Sequence, residues 1–226
     1  KKRVKDPQRL NMYSYGRVNP LKYIDPNGED IRLNDENVRR FGASRIVGAL
    51  TQNLRVSEQR NINWRRGEDG RLHISLKDPN AFKGKSTSEA YRYLVATIKT
   101  KVVVDFVIVP KGAVAVGENS GVTRSHAGLA LGEGGVTQRG ANGNFDVLVA
   151  EGGHARGVEG VSGKAIAFPE HLVAAHEVLG EVSTILAGAP PSGAVAIENS
   201  FRAEQKVPLR SGRDHAKTFQ DLEDYD

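Results

Sequence analysis

Apolar residues recur at helical spacing in four parts of the chain. Asn34–Leu54 begins with capping residues and carries apolar side chains three and four positions apart, and Thr87–Thr100 has the same pattern. Pro169–Gly188 is apolar almost all round, which is typical of a buried helix. A shorter amphipathic helix is predicted from Ala194 to about Lys206.

Segments with alternating or β-branched residues predict strands between these helices. Arg71–Leu76 alternates polar and apolar residues, and Lys101–Val109 is rich in valine. Glycine-rich turns separate three further predicted strands: Val114–Val116, His126–Leu131 and Phe145–Ala150. The pattern predicts an α+β fold, with a small mixed or antiparallel sheet packed against the buried helix.

Composition narrows the classes of function. The 226 residues include no cysteine, which excludes disulfides, thiolate zinc sites and cysteine nucleophiles. No apolar run approaches the roughly 18–20 residues of a membrane span. The net charge of +5 is compatible with a nucleic-acid partner. However, the basic residues are scattered and are not interleaved with aromatic residues, which argues against a nucleic-acid-binding surface.

The buried helix contains three titratable residues, His176, Glu177 and Glu181. Burying a charge in such a helix destabilises the folded protein by roughly several kcal/mol unless the charge is paired or bound to a metal. The three residues are therefore expected to form either a polar network with their neighbours or a metal site. His-Glu also begins the HExxH helix of zinc hydrolases, in which two histidines bind the metal and the glutamate is the general base.

The spacing departs from that motif, because position 180 is Gly and the residue able to coordinate is Glu181. On an ideal α-helix, positions 176 and 181 are about 140° apart, too far to share an ion. A π-bulge at Gly180 would bring them to one face. Glu198, on the following helix, is the predicted third ligand, which leaves the fourth position to water. Arg202 lies one turn further along this helix. It is predicted either to form a surface ion pair with Glu198 or to stabilise an oxyanion.

Phe145–Gly153 ends in glycines and is predicted to be an edge strand near this site. Such a strand could bind an extended peptide by β-addition. The sequence argues against two other kinds of site, a serine nucleophile paired with a histidine base and a nucleotide-binding phosphate loop. Ser125 and His126 would point to opposite faces of a predicted strand. The glycine-rich stretch 132–143 lacks the GK[ST] ending of a phosphate loop.

Residues 6–28, DPQRLNMYSYGRVNPLKYIDPNG, resemble the end of the conserved core of rearrangement-hot-spot (Rhs/YD-repeat) proteins. The resemblance implies that residues 1–28 close that core and that residues 29–215 form the effector domain of a bacterial polymorphic toxin. Residues 216–226 are an acidic tail. The resemblance to the Rhs core further implies that the core shell encapsulates the domain and that a cognate immunity protein exists. It also implies secretion or delivery into a target cell by a bacterial secretion system. The chain begins without a methionine, so it is expected to be part of a longer protein.

Residues 142–215 are similar to zinc metallopeptidase domains at the ends of Rhs proteins. The similarity lies in three segments: HEVLGE (176–181), ENSFR (198–202) and PLR (208–210). It implies a zincin-like fold and a peptidase that hydrolyses a target-cell protein. Zinc would be bound by His176, Glu181 and Glu198, with Glu177 as the catalytic base. Glu181 stands where the family has a second histidine, and His215 is a reserve ligand.

Two alternatives remain open at this point. In the first, the domain is a metal-free, catalytically inert or binding effector, and His176, Glu177 and Glu181 form a structural network. In the second, it is a nuclease toxin, which the basic charge favours. A nuclease would need a converging set of Asp, Glu and Lys, and the sequence shows no such set.

Overall fold

The computed structural model describes residues 31–190 and 192–212. The predictions made for residues 1–28, for the tail 216–226 and for His215 lie outside these residues. Within them, no helix has the length and apolar character needed to cross a bilayer.

The described residues contain a six-stranded mixed sheet and two hairpins. The strands are β1 (Ile31–Leu33), β2 (Ile62–Arg66), β3 (Leu72–Leu76), β4 (Val104–Val109), β5 (Val114–Val116), β6 (Thr123–Ser125), β7 (Gly135–Arg139), β8 (Phe145–Ala150), β9 (His154–Glu159) and β10 (Ala165–Phe168). The sheet order is β2-β3-β1-β4-β8-β7, in which β1, β4 and β8 run parallel and the other neighbours are antiparallel. The predicted α+β fold with a mixed sheet is confirmed.

The helices pack mainly against one face of this sheet. They are α1 (Asp35–Phe41), α2 (Ala43–Thr51), α3 (Val56–Gln59), α4 (Glu89–Ile98), α5 (His126–Leu131), α6 (Glu170–Ala175), α7 (Val182–Leu186) and α8 (Ser192–Glu204). A π-helical turn, His176–Glu181, joins α6 to α7. Residues 170–186 are therefore one helix with a wide central turn, which we call the central helix.

The helix predicted over Asn34–Leu54 begins where expected but is interrupted. The side-chain oxygen of Asn34 accepts hydrogen bonds from the backbone N–H groups of Glu36 and Asn37 at 3.0 and 3.1 Å, which confirms the cap. Gly42 then adopts φ +79°, a conformation that L side chains rarely adopt. The prediction of one continuous helix is wrong because this residue separates α1 from α2.

Two strand predictions are corrected by the structure. His126–Leu131 is helical, since the Ser125 hydroxyl accepts a hydrogen bond from Gly128 N–H at 3.1 Å and caps α5. Periodicity alone rarely separates a strand from a helix in so short an apolar run. β8 does form over Phe145–Ala150, but it lies between β4 and β7. The sheet edge next to the central helix is therefore β7, and the predicted edge strand is an interior one.

The two faces of the sheet are covered differently. Alternate side chains of β4 and β8 point to opposite faces. One set joins the main core with the central helix, α2 and α4, and includes Phe106, Val147 and Val149. The other set forms a smaller cluster with α5, which includes Val107 and Leu148. Packing on the main face places the π turn beside β7 and β8.

Candidate functional site

The π turn brings His176 and Glu181 to the same side of the central helix. In a π turn the backbone hydrogen bond joins residues five apart, so residues i and i+5 lie on the same side of the helix. The Nε2 atom of His176 is 3.5 Å from Oε1 of Glu181. The π-bulge that a shared site requires is therefore present.

Gly180 lets α8 approach this turn closely. A Cβ atom at position 180 would lie 3.1 Å from the carbonyl oxygen of Ala194 and 3.3 Å from its Cα. This approach brings Glu198, on α8, to the imidazole of His176.

Glu198 contacts the other edge of the imidazole. Its Oε2 atom is 2.9 Å from Nδ1 of His176, and its side chain is completely buried. The three predicted ligands thus converge on one imidazole, but Glu181 lies at Nε2 and Glu198 at Nδ1. Across residues 31–190 and 192–212, no three His, Asp or Glu side chains form a group that could hold an ion.

Two buried arginines hold the carboxylate of Glu198. Arg202 Nε is 2.5 Å from Oε1, and Arg210 Nη1 is 3.1 Å from Oε2. Burial alone would raise the pKa of Glu198, but His176 and the two guanidinium groups lower it to about 2. The predicted ion pair between Arg202 and Glu198 is confirmed, but its predicted surface location is wrong, since Arg202 is 1% exposed.

The carboxylates on either side of the His176 imidazole favour its protonated form. Burial lowers its pKa, but Glu181 and Glu198 outweigh that effect and raise the pKa to about 9. Because Glu198 is ionised, its carboxylate accepts at Nδ1, and this contact fixes which ring nitrogen carries a proton when the ring is neutral. Nε2 is then the nitrogen that faces Glu181.

Glu177 lies next to this pair and is also buried. The Thr137 hydroxyl donates to Oε2 of Glu177 at 2.7 Å. β7 makes room for the side chain, since a Cβ atom on Gly135 would lie 2.7 Å from Cγ of Glu177. Burial, opposed by His176 and Thr137 and assisted by Glu181 and Glu133, raises the pKa of Glu177 to about 7.

The cluster reaches solvent on the side of Glu181 and Glu133. The side chain of Glu181 is 15% exposed. Glu133 is exposed, yet its carboxyl group is partly desolvated, and this desolvation, with the charge of Glu181, raises its pKa.

The strand β7 lies at the edge of the described sheet. Antiparallel pairing directs the main-chain groups of alternate residues toward the neighbouring strand. Ala150 N–H donates to the carbonyl of Gly134 at 2.8 Å, so the even-numbered residues of β7 face β8. The main-chain N–H and C=O groups of the odd-numbered residues point to the side where no described strand pairs. These residues are Gly135, Thr137 and Arg139.

The sequence did not single out Thr137 or Glu133. Thr137 is an ordinary strand residue, and no spacing relates it to Glu177 forty positions later. Glu133 lies in the glycine-rich stretch 132–143, and no spacing relates it to the buried helix. His154 takes no part in the site, because its Nε2 atom is 2.6 Å from the carbonyl oxygen of Gly132.

Comparisons of the chain with family models, with curated proteins and with solved structures gave no match.

Proposed function

We propose that the domain is a zinc-dependent peptidase, built around the π turn of the central helix. The observation that carries this proposal is the 3.5 Å separation between Nε2 of His176 and Oε1 of Glu181. Two donors at the usual zinc–ligand distances, about 2.0–2.2 Å, lie roughly 3.4 Å apart in a tetrahedral site. Imidazole nitrogen and carboxylate oxygen are both common zinc donors.

In this proposal, His176 and Glu181 supply two of the three protein ligands that a catalytic zinc site usually has, and Glu198 orients the imidazole. A carboxylate on the second nitrogen of a metal-binding histidine fixes the ring and is common at zinc sites. The position of Glu198 at Nδ1 suits this task better than the ligand role expected from the sequence. When bound, zinc would lower the pKa of a water molecule and polarise a carbonyl group.

Glu177 takes and returns the proton in this reaction. A general base works best when its pKa is close to the working pH, and that of Glu177 is raised to about 7. Thr137 holds one oxygen of the carboxylate in place. Among the described residues, no side chain donates a hydrogen bond to the other carboxylate oxygen.

The open edge of β7 supports a peptide as the substrate. An extended peptide that added to this edge would bond to the main chain of Thr137 and Arg139, since Gly135 is buried. Thr137 also holds Glu177, so the peptide backbone would pass directly beside the proposed base. β-Addition recognises main-chain groups, which suits hydrolysis of a peptide bond.

The biological setting is proposed from the two sequence resemblances. We place the domain as the effector of an Rhs polymorphic toxin, delivered by a bacterial secretion system into a target cell whose protein it cleaves. The Rhs core shell and a cognate immunity protein are its proposed partners.

A metal-free structural network is the second candidate. The observation that favours it is the occupation of both ring nitrogens: Nδ1 faces Glu198, and Nε2 already faces Glu181. Two arginines neutralise Glu198, so this carboxylate needs no metal as its counter-charge. In that case His176 would be a permanent cation that ties the central helix to α8.

Zinc content and activity separate the two candidates. We expect about one zinc per chain in untagged protein, with loss of the metal in His176→Gln. Glu177→Gln should keep the metal and lose peptide hydrolysis by at least about 100-fold. Glu36→Gln, a change on the exposed face of α1, is the control and should change neither quantity. Absence of zinc, together with unchanged activity in Glu177→Gln, would establish the structural network.

A further inference from the structure

The segment that follows α8 adds one part of the site from outside the central helix. We infer that Arg210 is a positioning residue, which fixes the carboxylate of Glu198 and, through it, the imidazole of His176. This inference extends the proposed function, because it concerns how the zinc-binding nitrogen is aimed.

Residues 209–211 are held in an extended conformation against the β9–β10 hairpin. Val161 N–H donates to the carbonyl of Leu209 at 2.9 Å, and Ser211 N–H donates to that of Glu159 at 2.8 Å. Arg210 forms a β-bridge with Gly160 between these two bonds. We call residues 208–211 the strap.

Asn199, on α8, fixes the strap from its other side. Its Nδ2 donates to the carbonyl of Arg210 at 2.9 Å, and its Oδ1 accepts from Arg210 N–H at 2.8 Å. The backbone of Arg210 is thus held between α8 and the hairpin. With the backbone fixed in this way, the Arg210 side chain has a defined starting point.

The guanidinium of Arg210 reaches the oxygen that faces the imidazole. Its centre lies 5.0 Å from the ring of Phe168, and Nη1 contacts Oε2 of Glu198 at 3.1 Å. The same Oε2 atom is 2.9 Å from Nδ1 of His176. Arg202 binds the other oxygen, Oε1. Each oxygen therefore has its own arginine, and the carboxylate is held in one orientation.

The two arginines differ in how they reach Glu198. Arg202 lies one turn further on the same helix, so α8 alone brings the two together. Arg210 reaches Glu198 only when the strap is docked. Loss of Arg210 would leave Oε2 with the imidazole alone, and the carboxylate could turn about its remaining contact with Arg202. The direction of Nε2 toward Glu181 would then no longer be fixed.

The test compares Arg210→Met with Arg210→Lys, with Asn199→Ala, and with Lys164→Met as a control. Lys164 is an exposed cation on the same hairpin. The first readout is a long-range ¹H–¹⁵N spectrum of the histidine side chains at constant pH and without metal. The second is the affinity for zinc alone, measured by competition with a chelator.

We expect the wild type to show a single His176 environment, with Nδ1 protonated. Arg210→Met should shift or broaden these signals and weaken zinc binding by about 10–100-fold. Arg210→Lys should recover part of the effect, since it keeps the charge. Asn199→Ala should act in the same direction, because it loosens the strap without touching Glu198. Lys164→Met should match the wild type.

The inference is overturned if folded Arg210→Met gives the His176 spectrum of Lys164→Met. Should Arg210→Met not fold, the spectrum of Asn199→Ala decides in the same way. If the wild type binds no zinc, the proposed function fails, but the histidine spectra still test the role of Arg210.

Discussion

Buried carboxylates lie on both faces of the central sheet, and their surroundings differ. On the face covered by α5, Asp146 accepts hydrogen bonds from Asn119 and Ser120 at both oxygens, through backbone and side-chain donors. Its neighbour Asp105 pairs with Arg32 through two nitrogens and accepts from Asn119 at 2.7 Å. We call Asp105 and Asp146 the aspartate pair.

On the opposite face, Glu177 has a much poorer set of donors. Among the described residues, Thr137 is the one side chain that donates to its carboxylate. A carboxylate with donors at both oxygens holds a loop in place, as the aspartate pair holds residues 119 and 120. A buried carboxylate with few donors keeps its proton to higher pH and can exchange it. This difference supports the proposal that the chemistry takes place on the face of the central helix.

The matched changes Asp146→Asn and Glu177→Gln test the difference between these two carboxylate environments most directly. An amide at position 146 turns an NH₂ group toward N–H and O–H donors, so we expect a loss of about 3 kcal/mol in the free energy of unfolding. An amide at position 177 still accepts from Thr137 and should cost less than about 1 kcal/mol at pH 8. Urea unfolding measures both. Equal losses would contradict the distinction between the two clusters.

The pH dependence of stability tests whether the pKa of Glu177 is raised in the folded protein. The pKa of Glu177 is about 7 in the folded protein against 4.5 as its ordinary value. The unfolded chain therefore releases this proton first, and the folded state loses stability as the pH rises from 4.5 through 7. Glu177→Gln removes that loss. Relative to the wild type, the variant should gain about 2 kcal/mol between pH 5 and pH 8.

The wild type itself should lose further stability toward alkaline pH. The pKa of His176 is raised to about 9, so its contribution is complete below about 6.5 and is lost as the pH rises through 9. For this reason the effect of Glu177 is read from the difference between variant and wild type, in metal-free protein. A difference that is equal at pH 5 and pH 8 would show that the pKa of Glu177 is not raised.

The smallest effect concerns the glycine of the π turn. Gly180→Ala places a methyl group 3.1 Å from the carbonyl oxygen of Ala194, and we expect α8 to move away at a cost of about 1–2 kcal/mol. Gly48→Ala, within α2, is the matched control, because nothing lies within 4 Å of its added Cβ. That change should stabilise the protein by about 0.5–1 kcal/mol. Thermal unfolding of the two variants should shift in opposite directions.

The sequence was enough to predict that His176, Glu181 and Glu198 lie together, but not how their side chains are oriented. His176, Glu177 and Glu181 stood out because charges in an apolar helix need compensation, and their spacing required a π turn. The ring nitrogen that Glu198 would face was not predictable, since Arg210 fixes it from a separate segment. Thr137 reaches Glu177 only because β7 lies at the sheet edge, a position that long-range pairing decides. Local spacing carries no information on either contact.

X-ray diffraction at the zinc absorption edge, from crystals of untagged protein, tests the central claim most directly. The account predicts an anomalous peak about 2.0–2.2 Å from both Nε2 of His176 and a carboxylate oxygen of Glu181, with Glu198 still at Nδ1. Zinc-supplemented crystals that show no peak there, with Nε2 bonded directly to Glu181, would contradict it.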